Sequence, residues 1–167
     1  MLKTLYIHGL DSAPRPDKLE ILKSLDLEVA GLHIDYRENL DAYWILENYI
    51  RQNDMEFIVG SSYGGMLAYY LSAAMKIPAL LFNPALHSMS LEPELPKHRD
   101  IPEQPLFVVL GANDQTIPPK KTLDFFRTNK VKTARIISCH WLAHKIDLRT
   151  FEEMAQWARQ SLISRKA

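Results

Sequence analysis

The chain has 167 residues, with 20 basic and 20 acidic side chains and a formal net charge of zero. This length suits one domain with a sizeable core, so we predict a single globular domain over residues 1–167. The balanced charge disfavours nucleic acid and membrane surfaces as partners. No apolar run approaches the length of a membrane span, and the single cysteine, Cys139, predicts a reducing compartment, which we take to be the cytoplasm.

Short apolar runs alternate with segments of helical periodicity along the chain. This alternation predicts an α/β fold with a mostly parallel sheet, helices on both faces and right-handed crossovers. Near-continuous apolar runs are typical of strands that are buried on both faces of such a sheet. The predicted strands are Leu2–Ile7, Leu27–Ile34, Phe57–Val59, Ala79–Phe82, Leu106–Leu110 and Ala134–Ser138. The predicted helices are Asp17–Leu25, Asn39–Gln52, a segment from near Gly65 to before Pro78, Lys120–Thr128 and Leu148–Leu162.

Two of these helices have candidate capping residues near their starts. Asn39 is expected to cap the second helix, because its side-chain oxygen can accept a hydrogen bond from a first-turn N–H. Thr150 and Glu153 have the spacing of a capping box in the last helix.

Residues 85–104 form the longest irregular stretch, with prolines at several positions and Pro105 at its end. Structureless segments of this length inside a domain are usually functional or disordered. The sequence leaves two interpretations open for this stretch, a small cap over a pocket or a plain surface excursion.

A short motif near the middle of the chain directs the prediction of function. The apolar run at Phe57 is followed by a G-x-S-x-G frame, Gly60 to Gly64, and then by a helical segment. A strand-to-helix turn in this frame lifts one serine hydroxyl above the edge of the sheet, so Ser62 is the candidate nucleophile. The flanking glycines are required because a side chain there would collide with the neighbouring strand and helix. The adjacent Ser61 does not fit the frame.

Acidic and basic residues follow later strands, at the edge where open α/β sheets bind ligands. Asp114 lies in the turn directly after a buried strand, which favours it over Asp100 and Asp124 as the acid. His140 and His144 both follow the last predicted strand. We favour His144 as the base because it lies further out on a loop from which its ring can reach the serine, and His140 is the alternative. Ser, Asp and His then occur in the chain order of α/β-hydrolases.

An acyl transfer also needs hydrogen-bond donors that are in place for the developing oxyanion. The Tyr63 N–H, one residue past the serine, is the first candidate, and the Leu10 N–H, in the loop after the first strand, is the second. His8 is expected to hydrogen-bond a loop rather than substrate, and no histidine has metal-ligand spacing, so we predict no metal site. Four apolar residues on candidate pocket loops can line a substrate pocket or simply pack in the core: Leu86, Met89, Trp141 and Leu142.

Three segments resemble the compact YqiA-type bacterial esterases of the α/β-hydrolase superfamily: Leu5–Pro14, Val59–Gly65 and Phe82–Ala85. The similarity extends more loosely to Asp114 and Ala143–His144. The resemblance implies a serine esterase with little or no lid that acts on short acyl esters without a cofactor. It also implies Ser62 as nucleophile, Asp114 as acid and His144 as base, with Leu10 and Tyr63 as oxyanion donors. One departure is that His140–Ala143 stands where the family often has a glycine-rich turn.

The leading hypothesis is therefore a serine hydrolase that cleaves a small-molecule, short-chain carboxylic ester through an acyl-enzyme. A thioesterase or an amidase would use the same triad, and an α/β-hydrolase domain can also serve as a non-catalytic module that binds a small ligand or a protein. A weaker alternative pairs the Cys139 thiol with His140. The sequence leaves the physiological substrate, the acyl-chain length and the oligomeric state open.

Overall fold

The computed structural model describes residues 1–87 and 89–166 of the chain. Strands and helices follow one another in these residues much as the apolar pattern predicts. The strands are β1 (Leu2–Ile7), β2 (Leu27–Gly31), β3 (Phe57–Ser61), β4 (Ala79–Phe82), β5 (Leu106–Gly111) and β6 (Ala134–Cys139). The helices are α1 (Pro16–Ser24), α2 (Ala42–Asn53), α3 (Tyr63–Met75), α4 (Pro119–Thr128) and α5 (Leu148–Lys166).

The strands form one parallel sheet in the order β2-β1-β3-β4-β5-β6. The predicted α/β fold is thereby confirmed. After β1 the chain moves outward to β2 and then returns to β3 on the other side of β1, so the direction of winding reverses between β1 and β3. Loops that leave neighbouring strands at such a switch point diverge and open a crevice at the carboxyl edge of the sheet.

Two apolar clusters hold the helices against opposite faces of the sheet. Helices α2, α3 and α4 pack on one face, and α1 and α5 pack on the other. Strand β5 shows why the sheet needs both layers, since all six of its residues are buried. Leu106, Val108 and Leu110 point to the first face, whereas Phe107 and Val109 point to the second. This burial explains the continuous apolar runs that made the inner strands recognisable.

Several predicted boundaries are corrected near the carboxyl edge of the sheet. Strand β2 ends at Gly31 rather than Ile34, because the Ile34 N–H leaves the strand ladder and donates to His8 Nε2 at 3.1 Å. Helix α3 begins at Tyr63, directly after the candidate nucleophile and earlier than the predicted start near Gly65.

Both predicted helix caps are wrong. Helix α2 begins at Ala42, and the Asn39 side chain closes the preceding turn by donating to the Asp35 carbonyl at 2.8 Å. Helix α5 begins two residues before Thr150, and the Asp147 carboxylate accepts hydrogen bonds from the Thr150 N–H and hydroxyl at 2.9 and 2.8 Å. Asp147 therefore caps the helix. Glu153, the predicted partner of Thr150 in a capping box, instead forms an ion pair with Arg149.

Strands and helices do not alternate throughout, because an irregular segment connects β4 to β5. Apart from Ser88, which lies outside the described residues, residues 85–104 contain no helix or strand. The segment starts at the carboxyl edge, where the Ala85 N–H donates to the Ser62 carbonyl, and returns to the amino edge, where the Pro102 carbonyl accepts from the Thr133 hydroxyl. It therefore takes the place of a crossover helix along the sheet, and its described residues form no separate lid domain. Within the described ranges, no helix is both long and apolar enough to cross a membrane.

Candidate active site

Ser62 occupies a strained turn between β3 and α3. Its backbone has φ 54° and ψ −116°, a conformation that is uncommon for a residue with a side chain. Hydrogen bonds hold it there, because its N–H donates to the Phe82 carbonyl at 2.9 Å and its carbonyl accepts from the N–H groups of Met66 and Ala85, both at 3.0 Å. The turn places the Ser62 hydroxyl at the carboxyl edge of the sheet.

The glycines on either side of this turn allow strand and helix to approach closely. A Cβ at Gly64 would overlap the carbonyl oxygens of Ile7 and His8, at the end of β1. A Cβ at Gly60 would overlap the Gly64 carbonyl oxygen and the Ala68 side chain. This is the collision expected from the sequence, and its main partners are backbone atoms that cannot move aside as a flexible side chain would.

A continuous chain of hydrogen bonds links Ser62 to two distant parts of the sequence. Ser62 Oγ lies 3.1 Å from His144 Nε2, and His144 Nδ1 lies 2.8 Å from Asp114 Oδ2. The other carboxylate oxygen of Asp114 accepts from the N–H groups of Thr116 and Ile117 at 2.9 and 2.8 Å. A carboxylate can only accept, so Nδ1 carries the imidazole proton and Nε2 is free to accept from the Ser62 hydroxyl.

The two ends of this chain differ in exposure. The Asp114 side chain is completely buried, whereas the His144 side chain is 31% exposed. The carboxylate is thus fixed below the imidazole, and the imidazole faces the cleft in which a substrate would lie. An arrangement of this kind can take a proton from the serine hydroxyl and return it to a leaving group.

The structure brings none of the alternative residues to Ser62. The exposed His140 ring packs edge-on against Trp141 at a centroid distance of 5.0 Å. Asp100 pairs with His98, and Asp124 pairs with basic residues of α4. The Cys139 thiol is fully buried on the α5 side of the sheet, and burial, with smaller contributions from nearby carboxylates, raises its pKa. A buried thiol whose pKa is raised is a poor nucleophile.

The two predicted oxyanion donors lie beside the same cleft. Leu10 and Tyr63 both line it, together with Ser62 and His144. Tyr63 is the first residue of α3, where helix geometry leaves the N–H without an intrahelical acceptor. In the described part of the chain, neither the Leu10 N–H nor the Tyr63 N–H donates to another protein group. Both donors are therefore available to an oxygen atom that develops negative charge.

His8 holds the loop that carries Leu10. Its Nδ1 lies 2.7 Å from the Gly9 carbonyl oxygen, and its Nε2 accepts from the Ile34 N–H at 3.1 Å. This pattern requires the neutral ring. Burial lowers the pKa of His8, the hydrogen bond to the Gly9 carbonyl raises it, and the nearby His33 lowers it further. The predicted structural role of His8 agrees with these contacts.

The cleft beside Ser62 has a volume of about 500 Å³. Sequence analysis missed several of its walls, among them Thr116 and Ile117, whose N–H groups also hold Asp114. It also missed an ion pair at the mouth, in which Arg37 Nε and Nη2 each donate to Asp11 at 2.7 Å. Arg37 follows closely on the predicted second strand, which was a signal for the site, although such a turn is more often simply solvated. The cleft is lined by Leu10, Asp11, Arg37, Ser62, Tyr63, Ala85, Met89, Ser90, Thr116, Ile117 and His144.

Only one of the four predicted pocket residues, Met89, lines this cleft. Leu86 is buried in the cluster beneath α2 and α3, and Leu142 is buried against α5. Trp141 is 53% exposed and its Nε1 donates to the Thr150 hydroxyl at 2.9 Å, over the start of α5. These placements correct the prediction, and the reason is the turn after β6, in which the Leu142 N–H donates back to Cys139 and directs the two side chains away from the serine.

A larger cleft of about 710 Å³ lies at the amino edge of the sheet, remote from Ser62. Its walls include Lys76, directly after α3, and Lys130, two residues after the end of α4, and a positive charge at these helix ends interacts favourably with the helix dipole. Over residues 1–87 and 89–166, three or more His, Cys, Asp or Glu side chains are nowhere grouped to hold a metal ion. The hydrogen-bonded chain at the carboxyl edge is therefore the stronger candidate for chemistry.

Solved structures with the same fold are distant in sequence. A Xanthomonas campestris protein assigned to the α/β hydrolase superfamily aligns with 17% identity and a TM-score of 0.72, over 96% of this chain and 99% of that one. Est1E from Butyrivibrio proteoclasticus aligns with 13% identity and a TM-score of 0.72, over 98% and 88%. A Xanthomonas campestris serine hydrolase without a lid aligns with 13% identity and a TM-score of 0.71, over 97% and 84%. These likenesses show the α/β-hydrolase fold.

A family model gives the assignment at the level of sequence. Residues 3–137 match the model described as "Uncharacterised protein family (UPF0227)", and the match spans most of the chain, from β1 into β6. The resemblance of the loop after β1, the Gly60–Gly64 frame and the Asn83 region to YqiA-type proteins agrees with this match. The chain belongs to the UPF0227 family, the YqiA-type family, and has the α/β-hydrolase fold.

Proposed function

We propose that the protein is a serine esterase that hydrolyses short-chain carboxylic esters through an acyl-enzyme. The observation that carries the proposal is the unbroken hydrogen-bonded chain from Ser62 through His144 to Asp114. Each contact has the distance and the donor and acceptor chemistry that a nucleophile, a general base and its orienting carboxylate require. A reducing location, the cytoplasm, is part of the proposal because the only cysteine is a free buried thiol.

Acylation begins when His144 Nε2 accepts the Ser62 hydroxyl proton as Ser62 Oγ forms a bond to the ester carbonyl carbon. The carbonyl oxygen becomes an oxyanion, which the Leu10 and Tyr63 N–H groups stabilise. The bond to the alcohol oxygen then breaks, and the imidazolium donates its proton to that oxygen. Asp114 keeps the Nδ1 proton in place and stabilises the imidazolium, since its carboxylate faces that nitrogen at 2.8 Å.

Deacylation repeats the same steps with water in place of the serine. His144 accepts a proton from the water as the water oxygen attacks the acyl carbon. The bond between the acyl carbon and Ser62 Oγ then breaks, and His144 returns the proton to Ser62 Oγ. The net reaction converts one ester and one water into an acid and an alcohol. All proton transfers use this chain's own residues.

The walls of the cleft support a small substrate. A volume of about 500 Å³ lies within the range typical of small-molecule sites. Leu10, Ala85, Met89 and Ile117 provide apolar surface for an acyl chain, and the Asp11–Arg37 pair closes one side of the mouth with charge. We therefore propose short acyl groups rather than long lipid chains as the preferred substrates.

The proposal is tested with a fluorophosphonate probe and with p-nitrophenyl esters of increasing acyl length. We expect one covalent adduct, located on Ser62 by peptide mass spectrometry, and a burst of p-nitrophenol followed by turnover that is fastest for short chains. Matched thioesters and amides measure whether the same triad prefers another leaving group. Absence of both adduct and burst would support a binding module, and an adduct on Cys139 would support a thiol nucleophile.

A further inference from the structure

Asn83 lies immediately after β4, where three parts of the chain meet beneath the site. It is only 2% exposed, and its φ is 43°, in the left-handed region. Its backbone N–H donates to the Val109 carbonyl in β5 at 2.9 Å, which continues the strand pairing past the end of β4. The side chain is therefore aimed from a fixed backbone into the protein beneath the histidine loop, which we define as residues 140–147.

The Asn83 amide uses both of its ends to connect that loop to β5. Nδ2 donates to the carbonyl oxygens of Ala143 and His144 at 3.0 and 3.1 Å. Oδ1 accepts from the Gly111 N–H at 2.8 Å, at the end of the strand that precedes Asp114. Two acceptors on one side and a donor on the other define the orientation of the amide.

We propose that Asn83 is a positioning residue that holds the His144 backbone in register with Asp114 and Ser62, an inference that rests on the proposed function. Asn113, in the turn after β5, holds the start of the loop, because its N–H donates to the Leu142 carbonyl at 3.0 Å and its Nδ2 to the His140 carbonyl at 2.7 Å. Asn83 instead binds the carbonyl oxygen of the base itself and that of the residue before it. His144 is carried by an irregular segment between β6 and α5, whereas Ser62 lies between a strand and a helix that are packed against each other. The buried Asn83 amide therefore couples the backbone of His144 to the end of β5, the strand that leads to Asp114.

The chemistry of the position explains why asparagine occupies it. The backbone conformation requires a residue that tolerates positive φ, which asparagine, aspartate and glycine do best. The contacts require two N–H donors and one acceptor within reach of the backbone. Aspartate lacks the donors and glycine lacks the side chain, so asparagine alone among these three meets both requirements.

Two variants separate positioning from simple stability. Asn83→Gly keeps the favourable backbone conformation and removes all three side-chain hydrogen bonds. Asn83→Asp keeps the shape and the acceptor for Gly111 but directs a carboxyl group at two carbonyl oxygens. We expect kcat for a p-nitrophenyl ester to fall about 100-fold in each variant, with KM changed by less than about threefold, because the base rather than the cleft is displaced.

The pH dependence gives a second readout in Asn83→Asp. The introduced carboxyl group can donate one hydrogen bond when it is protonated and none when it is ionised. The ratio of variant to wild-type kcat should therefore fall as pH rises through its titration. A variant that is only less stable, and still folded throughout the pH range, would show a constant ratio.

Ser72→Ala is the matched control. Ser72 is also completely buried and donates one hydrogen bond, to the Ile77 carbonyl at 2.6 Å, but it lies near the far end of α3 from the site. It should lose stability while keeping wild-type kcat and KM. Wild-type kcat in folded Asn83→Gly or Asn83→Asp would overturn the positioning role. A wild-type protein without turnover or fluorophosphonate labelling would instead reject the proposed function, so the two failures are distinguishable.

Discussion

The serine half and the histidine half of the site are built in different ways. Around Ser62, backbone hydrogen bonds act together with a steric constraint, since a packed strand and helix approach so closely that Gly64 has no room for a side chain. Around His144, a loop is held by hydrogen bonds from Asn83 and by close approach to Gly111. A disruptive mutation in the serine half should therefore lower the stability of the protein. A disruptive mutation in the histidine half should instead misalign His144 in a protein that remains folded.

The largest effect is expected at Ser62, the proposed nucleophile. Ser62→Ala should lower kcat for a p-nitrophenyl ester by about a million-fold, because the remaining triad has no oxygen to activate. The fold should survive, as measured by circular dichroism and thermal unfolding. Ser61→Ala is the neighbouring control, since Ser61 takes no part in the hydrogen-bonded chain from Ser62 to Asp114, and it should keep activity within a few-fold. Equal activity in Ser62→Ala and the wild type would refute the assignment.

Gly64→Ala tests the steric half. The new methyl group would overlap the carbonyl oxygens of Ile7 and His8, so the free energy of unfolding should drop by about 3 kcal/mol or more. Gly9→Ala is its control, because the nearest atoms there, Ser61 O and Ser62 Cβ, are at ordinary contact distances of 3.5 and 3.6 Å. Urea unfolding of both variants measures the difference. Similar stabilities for the two would show that the close approach is not a constraint.

Gly111→Ala tests the histidine half in the same way. A Cβ there would lie 2.6 and 2.5 Å from the carbonyl oxygens of Leu142 and Ala143, so the loop must shift. Because the loop is at the surface edge of the sheet, we expect the protein to remain folded while kcat falls about 100-fold. Turnover and unfolding are measured on the same preparation. Unfolding without a change in kcat of the folded fraction would remove the proposed distinction between the two halves.

The smallest expected effect is a pH dependence of stability from His8. Burial lowers its pKa below the ordinary value of 6.5, so the unfolded chain binds the proton more tightly than the folded protein. The free energy of unfolding should thus decrease as pH falls below about 6.5, and the full contribution of His8 is present above that pH. The pKa of His87 is lowered too, so it adds a change of the same sign.

Urea unfolding between about pH 5 and pH 8 measures this effect. His8→Gln keeps a polar side chain that does not titrate, so it should reduce the slope of the free energy of unfolding against pH. His87→Gln should reduce the same slope by a further amount. An unchanged slope in His8→Gln would show that the ring titrates alike in the folded and unfolded states.

Much of the sheet could be predicted because its inner strands, such as β4 and β5, are buried on both faces. β1 and β4 have the predicted bounds, and β5 and β6 each extend one residue further. The helix caps could not be predicted as well, since a capping residue is chosen by local competition among side chains. Asn39 closes the turn before α2 instead of capping it, and Asp147 caps α5 in place of Thr150.

The pocket was the least predictable part of the site. Leu142 and Trp141 are apolar and lie near His144 in the chain, which made them reasonable candidates, but the turn after β6 directs one into the core and the other onto α5. Arg37 and Asp11 come from loops that are 26 residues apart in the chain, and only the pairing of β1 with β2 brings them together. Contacts between loops depend on strand order, which apolar periodicity does not encode.

The sequence alone determined the elbow, because the glycine spacing around Ser62 and the adjoining strand and helix are local properties. It also predicted Asp114 and His144, since parallel strands direct the residues after them to one edge. The tertiary structure decided between His144 and His140 as the neighbour of Ser62, and it revealed the Asn83 amide that links the histidine loop to β5. Distances of 3 Å between residues 60 positions apart depend on how whole strands pack, and no local pattern specifies them.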